Sequence, residues 1–257
     1  MEHNLRGRIA LVTGVSRRKG IGFAVADRLA AMGADVFCHA FTPFDVEQPW
    51  GADCGGVESL QKELLRHETR IEFMQADLAD PTAPSSIIAA TIRALGHVDI
   101  LVANHAYSVS RTLEDLTAEQ IDAHLSVNVR GSLLLVKEFA AQHDDTRLGG
   151  RVVLFTSGQH LHPMPGELAY VASKGALHQL TSSLAAHLAS RGITVNTIDP
   201  GATDTGWASA EVYEAVRASH PQGRWGTPED AARVISWLVT DDAAWITGQI
   251  INSRGGA

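Results

Sequence analysis

Tyr170 and Lys174 stand four residues apart, and Tyr170 follows Ser157 by thirteen. Residues four apart share one face of a helix, so the phenol and the ammonium can address a single site. A phenol ordinarily holds its proton up to a pKa of about 10, and a neighbouring cation draws that value down, bringing proton transfer into range near neutrality. The spacing alone is common here: Tyr107 with Arg111 and Tyr213 with Arg217 repeat it. Context separates Tyr170, because an apolar run ends at Phe155-Thr156-Ser157 and a helical run carries Tyr170-Val171-Ala172-Ser173-Lys174. Far upstream, Val12-Thr13-Gly14 closes another apolar run, and Gly20-Ile21-Gly22 opens a helical one after Ser16, Arg17, Arg18 and Lys19. Glycines let backbone approach phosphates closely, and the free amides and dipole of a helix start attract them. A proton donor, a tuning cation and a dinucleotide cradle in one chain point to hydride transfer.

These groups need a scaffold, and the hydrophobic pattern supplies one. Runs rich in Val, Ile and Leu alternate with segments of helical period, the signature of βαβ units around a parallel sheet. Strands are expected near Ile9 to Thr13, Asp35 to Ala40, Ile71 to Gln75, Ile100 to Ala103, Arg151 to Phe155, Thr194 to Thr197 and Gln249 to Asn252. The runs are nearly continuous in apolar residues, as strands covered on both faces require. No Pro/Ser-rich linker or repeat divides the chain, so residues 1–257 are expected to form a single dinucleotide-binding and catalytic domain. Two segments break the rhythm: Phe41 to Gly56, long for a strand-to-helix connection, and Ala202 to Gly226, whose polar start and apolar middle suit a lid.

Composition narrows the partners. Hydrophobic residues make up 45% and charged residues 19% of the chain, a globular balance. A net charge of -8 works against binding to nucleic acid or an anionic membrane, leaving small molecules as the expected partners. Met1 to Arg8 has no apolar targeting segment, and no apolar run approaches the roughly eighteen residues of a membrane span, so a cytoplasmic location is expected. Cys38 and Cys54 suggest no disulfide framework, and Cys38 reads as a small buried hydrophobe. Among twelve histidines, His160 and His162 invite a metal, but only Glu167 accompanies them and a metal needs three or four convergent ligands. No metal is expected. A substrate-facing role with Met164, Tyr107 and Trp207 fits that loop better.

The motifs, in this order from Arg8 to Gly256, resemble those of the short-chain dehydrogenase/reductase family, including members that reduce 3-oxoacyl thioesters on an acyl carrier protein. The resemblance implies a Rossmann-type, doubly wound α/β fold with seven parallel strands in the order 3-2-1-4-5-6-7 and helices on both faces. It implies that Tyr170 is the general acid in reduction, that Ser157 polarises the carbonyl, that Lys174 holds the nicotinamide ribose and acidifies Tyr170, and that Asn128 sustains a proton relay. Cofactor contacts implied are Gly14, Ser16, Gly20, Ile21 and Gly22 in the turn, Asp77 and Leu78 at the adenine, and Asn104. Pro200, Gly201, Thr203 and Thr205 are implied at the nicotinamide. A homotetramer is also implied.

The chain departs from the family in two places. Five residues, Val15 to Lys19, separate Thr-Gly from Gly-x-Gly where the family has three, and His105 and Ala106 replace smaller residues after the fourth strand. Ala40 and Phe41 stand where a ribose-binding carboxylate would select NAD(H), while Arg17 and Arg18 offer guanidinium groups to a 2′-phosphate. NADP(H) is therefore favoured over NAD(H). The enlarged turn and the Phe41 to Gly56 loop should meet around the adenosine, with Trp50 or Phe44 stacking. The expected activity is hydride transfer between NADP(H) and a carbonyl or secondary alcohol, a free small molecule or an acyl thioester. Competing readings are an NAD-dependent alcohol dehydrogenase and a catalytically silent dinucleotide-binding regulator or scaffold; retention of Asn128, Ser157, Tyr170 and Lys174 argues against the silent form.

Overall fold

The computed structural model describes residues 4–147 and 149–257; the first three residues of the segment read for targeting lie outside it. Seven strands form one sheet: β1 (Ile9–Thr13), β2 (Asp35–Ala40), β3 (Ile71–Gln75), β4 (Ile100–Ala103), β5 (Arg151–Phe155), β6 (Thr194–Asp199) and β7 (Ile250–Asn252). Every pairing is parallel, in the order β3-β2-β1-β4-β5-β6-β7. The helices are α1 (Ile21–Ala31), α2 (Thr42–Val46), α3 (Gly56–Leu64), α4 (Ala83–Leu95), α5 (Ala118–His124), α6 (Ser132–Gln142), α7 (Leu168–Leu188), α8 (Ala210–Ser219) and α9 (Pro228–Leu238). None among the described residues is long and apolar enough to cross a membrane.

Successive strand residues point to opposite faces, so a strand covered on both sides must be apolar throughout. β1 shows this: Ala10 and Val12 enter one buried cluster with Val36, Cys38 and Val102, while Ile9 and Leu11 enter a second with Phe37, Leu101 and Leu154. Cys38 is a buried hydrophobe, as read from the sequence. The chain leaves β1 toward β2 and β3 on one side and returns to β4 on the other. The carboxyl ends of β1 and β4 therefore diverge into a crevice, the place where open α/β sheets bind ligands.

The structure sharpens three expectations. β6 runs two residues further than its apolar pattern, to Asp199, because Asp199 still pairs with Asn252, and β7 starts at Ile250. The 41–56 segment contains the single-turn α2, whose first turn accommodates Pro43 because that position needs no amide donor. The 202–226 segment is closed at its base by Asp204 N donating to Gly226 O and Gly226 N donating to Ala202 O, both 2.9 Å, and holds α8 as a flap above.

Candidate active site

The glycine turn is shaped by close packing. Gly14 has φ of 74°, which favours glycine, and a Cβ on Gly22 would fall on the Gly14 carbonyl oxygen and within 2.7 Å of Asn104 Nδ2. That Asn104 amide donates to Thr13 O (3.0 Å) and Gly14 O (3.2 Å), stitching the end of β4 to the turn. His105 fits where a smaller residue was expected, because Nε2 donates to Val127 O (3.1 Å) and Nδ1 accepts from Thr13 Oγ1 (2.7 Å). Burial pushes its pKa down to about 3, keeping the ring neutral. α1 begins with no side-chain cap and no acidic residue in its first turn, so its first amides remain available to an anion. A tight turn feeding an uncapped helix fits a pyrophosphate.

A cavity of about 1100 Å³ opens above this turn. Gly14, Ser16, Arg17, Gly20 and Ile21 line it at one end, with Asp77, Leu78 and Asn104 beside them. Ser157, Tyr170 and Lys174 line the same cavity, as do Pro200, Gly201, Thr203 and Thr205. Gly22 packs beneath the turn. Arg18 departs from its expected place: its guanidinium binds Glu63 (2.8 Å), Ser59 (3.0 Å) and Asp53 (3.3 Å), outside the cavity lining. Those acceptors on α3 and the 41–56 segment claim its donors. Arg17 alone of the pair remains at the cavity, 3.0 Å from Asp45 and donating to Thr205 O (2.9 Å). The enlarged turn thus meets the 41–56 segment, and Trp50 lies under Arg17 with 5.0 Å from Cζ to the ring centroid. Phe44 instead packs on Tyr107, centroids 5.5 Å apart.

At the chemical end, α7 carries Tyr170 and Lys174 on one face and β5 delivers Ser157 just past its last residue. Tyr170 and Ser157 line the same cavity. Lys174 Nζ lies 5.6 Å from the Tyr170 ring centroid and donates to Phe155 O (3.2 Å). Burial pushes the Tyr170 phenol up to about 12 and the Lys174 ammonium down to about 8. Desolvation dominates the rise at Tyr170, Ser157 works against it, and Glu167 and Asp199 add to it. Asn128 is fully buried in a π-helical segment, Leu125–Gly131, between α5 and α6. π-helical turns concentrate at functional sites. Its Oδ1 accepts from Tyr107 N (2.7 Å), and Nδ2 donates to Tyr107 O (2.9 Å) and Ser173 Oγ (2.9 Å), so it ties the loop after β4 to α7.

The substrate side holds His162, Met164, Tyr107 and Trp207, whereas His160 leaves the cavity for His178, ring centroids 4.7 Å apart. Two features were missed in the sequence. Asp199, 1% exposed at its side chain, pairs with Arg254 at 3.0 Å, bringing the C-terminal segment against the catalytic end. Asp45 enters the cofactor end of the cavity as a buried carboxylate. Neither partner lies close enough in sequence to mark the other; only Asp199's place before Pro200-Gly201 hinted at a role.

Comparison with known proteins bears on this arrangement. Residues 14–257 match the family model described as enoyl-(acyl carrier protein) reductase. The chain is 43% identical over 257 residues to the uncharacterized oxidoreductase YjdA of Bacillus subtilis (strain 168), covering 100% of this chain and 98% of that protein. It is 32% identical over 271 residues to versicolorin reductase 1 of Aspergillus parasiticus, covering 99% and 98%. The solved structure of the angucycline C-6 ketoreductase LanV with bound NADP superposes with a TM-score of 0.86 at 32% identity, covering 98% of this chain and 96% of that one.

Proposed function

The chain belongs to the short-chain dehydrogenase/reductase family of oxidoreductases, and on that premise we propose that it is an NADP(H)-dependent carbonyl reductase. One observation carries the reading: Ser157, Tyr170 and Lys174 converge on the same cavity as the uncapped start of α1 and Arg17. A binding-only module has no use for a phenol and a buried ammonium set together in the cavity that holds its phosphate cradle.

Gly14, Ser16, Gly20 and Ile21 would hold the dinucleotide's phosphates, and Asp77, Leu78 and Asn104 would flank its adenosine. Pro200, Gly201, Thr203 and Thr205 would face the nicotinamide. When bound, that ring supplies or accepts the hydride. Ser157 holds the carbonyl oxygen by a hydrogen bond, and Tyr170 gives that oxygen the proton that completes the alcohol. Lys174 supplies a cation beside the phenol, which favours the phenolate left behind. Asn128 acts through the geometry it fixes between Tyr107 and Ser173, whose Oγ donates to Tyr170 O at 2.8 Å.

A ring-bearing ketone is the favoured substrate. Trp207, half exposed on the flap, and Tyr107 and Met164 give the cavity aromatic and apolar surface, and two similar proteins are named as a versicolorin reductase and an angucycline ketoreductase. A carrier-borne thioester is less well served: Arg130 is engaged with Ala79 O, leaving Arg111 at the cavity. We further propose that residues 1–257 act as one catalytic domain, in the cytoplasm, within a homotetramer. Oxidation of NADPH, followed at 340 nm against a panel of cyclic and linear ketones, tests the function. Turnover with NADH alone, or none with any ketone, would reject it.

A further inference from the structure

The 41–56 segment places a carboxylate where the cofactor's 2′-phosphate is expected. Asp45 is buried. Its carboxylate forms an ion pair with Arg17 Nε (3.0 Å) and accepts a hydrogen bond from Trp50 Nε1 (3.0 Å). The Ser16 hydroxyl accepts from Phe41 N (3.2 Å) at the carboxyl end of β2, and the side chains of Ser16, Arg17, Asp45 and Trp50 all line the cavity. A guanidinium and an indole N–H on one oxyanion, with the Ser16 hydroxyl lining the same cavity, form a donor set suited equally to a phosphate monoester. Burial raises the Asp45 carboxyl above its ordinary value despite Arg17, so its hold on these donors costs desolvation.

We propose that Asp45 is an internal surrogate for the 2′-phosphate, which must be displaced for NADP(H) to bind, and that it sets the margin by which NADP(H) is preferred. This rests on the NADP(H) reading above. A carboxylate and a phosphate cannot share Arg17 in a partly desolvated corner without strong mutual repulsion. The phosphate therefore takes the donors only when Asp45 leaves, carrying Trp50 and α2 with it. An unphosphorylated ribose makes no such demand, so Asp45 taxes one cofactor and spares the other.

The experiment uses the full chain with adenosine 2′,5′-bisphosphate and 5′-AMP as probes, titrated calorimetrically into wild type and Asp45→Asn. Asparagine keeps the shape and the acceptor for Trp50 but removes the charge. Bisphosphate affinity should rise roughly tenfold or more, with 5′-AMP unchanged within about twofold. Unchanged or weaker bisphosphate binding overturns the proposal, since Asp45 would then only position Arg17. A second measurement needs no Asp45 variant: in wild type the bisphosphate, but not 5′-AMP, should alter indole emission, and Trp50→Phe should abolish the change. An emission that ignores the bisphosphate also overturns it. Wild type binding both probes equally would defeat the NADP(H) reading by itself, while the effect of Asp45→Asn on their ratio would still decide the role of Asp45.

Discussion

A phenol packed among protein atoms gives up its proton less readily than one in water, and the pKa of Tyr170, near 12, reflects that. Such a value keeps the phenol protonated until it meets the carbonyl but makes it a weaker donor, so proton transfer needs the Lys174 cation to favour the phenolate as it forms. Tyr170→Phe should lower kcat by about 10²–10⁴-fold while leaving the NADPH dissociation constant within about twofold, as read by turnover and fluorescence titration. Lys174 titrates near 8 and is charged below that value. Reduction should therefore decline as pH rises through about 8, and a kcat profile flat to pH 10 would contradict a need for this cation. Stability carries the opposite sign. Between about 8 and the unfolded lysine value of about 10.4 the unfolded chain holds the extra proton, so folding is favoured as pH climbs through that window. Arg254→Met would strand the buried Asp199 carboxylate, and urea unfolding should register a loss of about 3–5 kcal/mol, largely recovered in the double variant with Asp199→Asn.

Elements set how these side chains meet. The turn from β1 into α1 leaves no room for a side chain at Gly22. Gly22→Ala should abolish measurable NADPH binding by pushing apart Gly14 and Asn104, without touching Tyr170. The ends of β2 and β4 carry a different liability. His39, held by Ala76 O at 2.9 Å, and His105 are neutral in the fold, pushed by burial to about 4 and about 3. Unfolded histidine gains its proton near 6.5, so their contribution to stability is complete above that pH and is lost as pH falls toward 4 and 3. Melting temperature should drop across that window, and His105→Asn should flatten the slope. A slope that His105→Asn leaves unchanged would place acid sensitivity elsewhere.

On the scale of the molecule, the cavity is walled by segments from distant parts of the chain: the 41–56 segment, the loop after β4, the 202–226 flap and the C-terminal Arg254. Arg17 touches two of them, which links cofactor and substrate ends through one guanidinium. The surface also carries apolar groups with no cover in the single chain, notably Trp245 at 99% exposure, with Ile121 and Leu125 near the Asn128 segment. These support assembly. Light scattering should give a mass about four times the 27.5 kDa of one chain, and a monomer across micromolar concentrations would refute the tetramer.

What could be read without coordinates was whatever the chain encodes locally. Apolar runs such as Val152 to Phe155 announce two-sided burial through their own composition, and five of the seven strands have the bounds that pattern suggests. Tyr170 and Lys174 share a face because helical pitch puts them there, and the glycine turn is legible because no other residue fits Gly14 and Gly22. Charged side chains obey no such local rule. Arg17 and Arg18 are adjacent and chemically identical, yet one borders the cavity and the other is taken by Glu63, and Asp199 finds Arg254 at the far end of the chain. Their long, flexible stems pair with whatever charge the fold brings near, and only the closed tertiary structure fixes which charge that is.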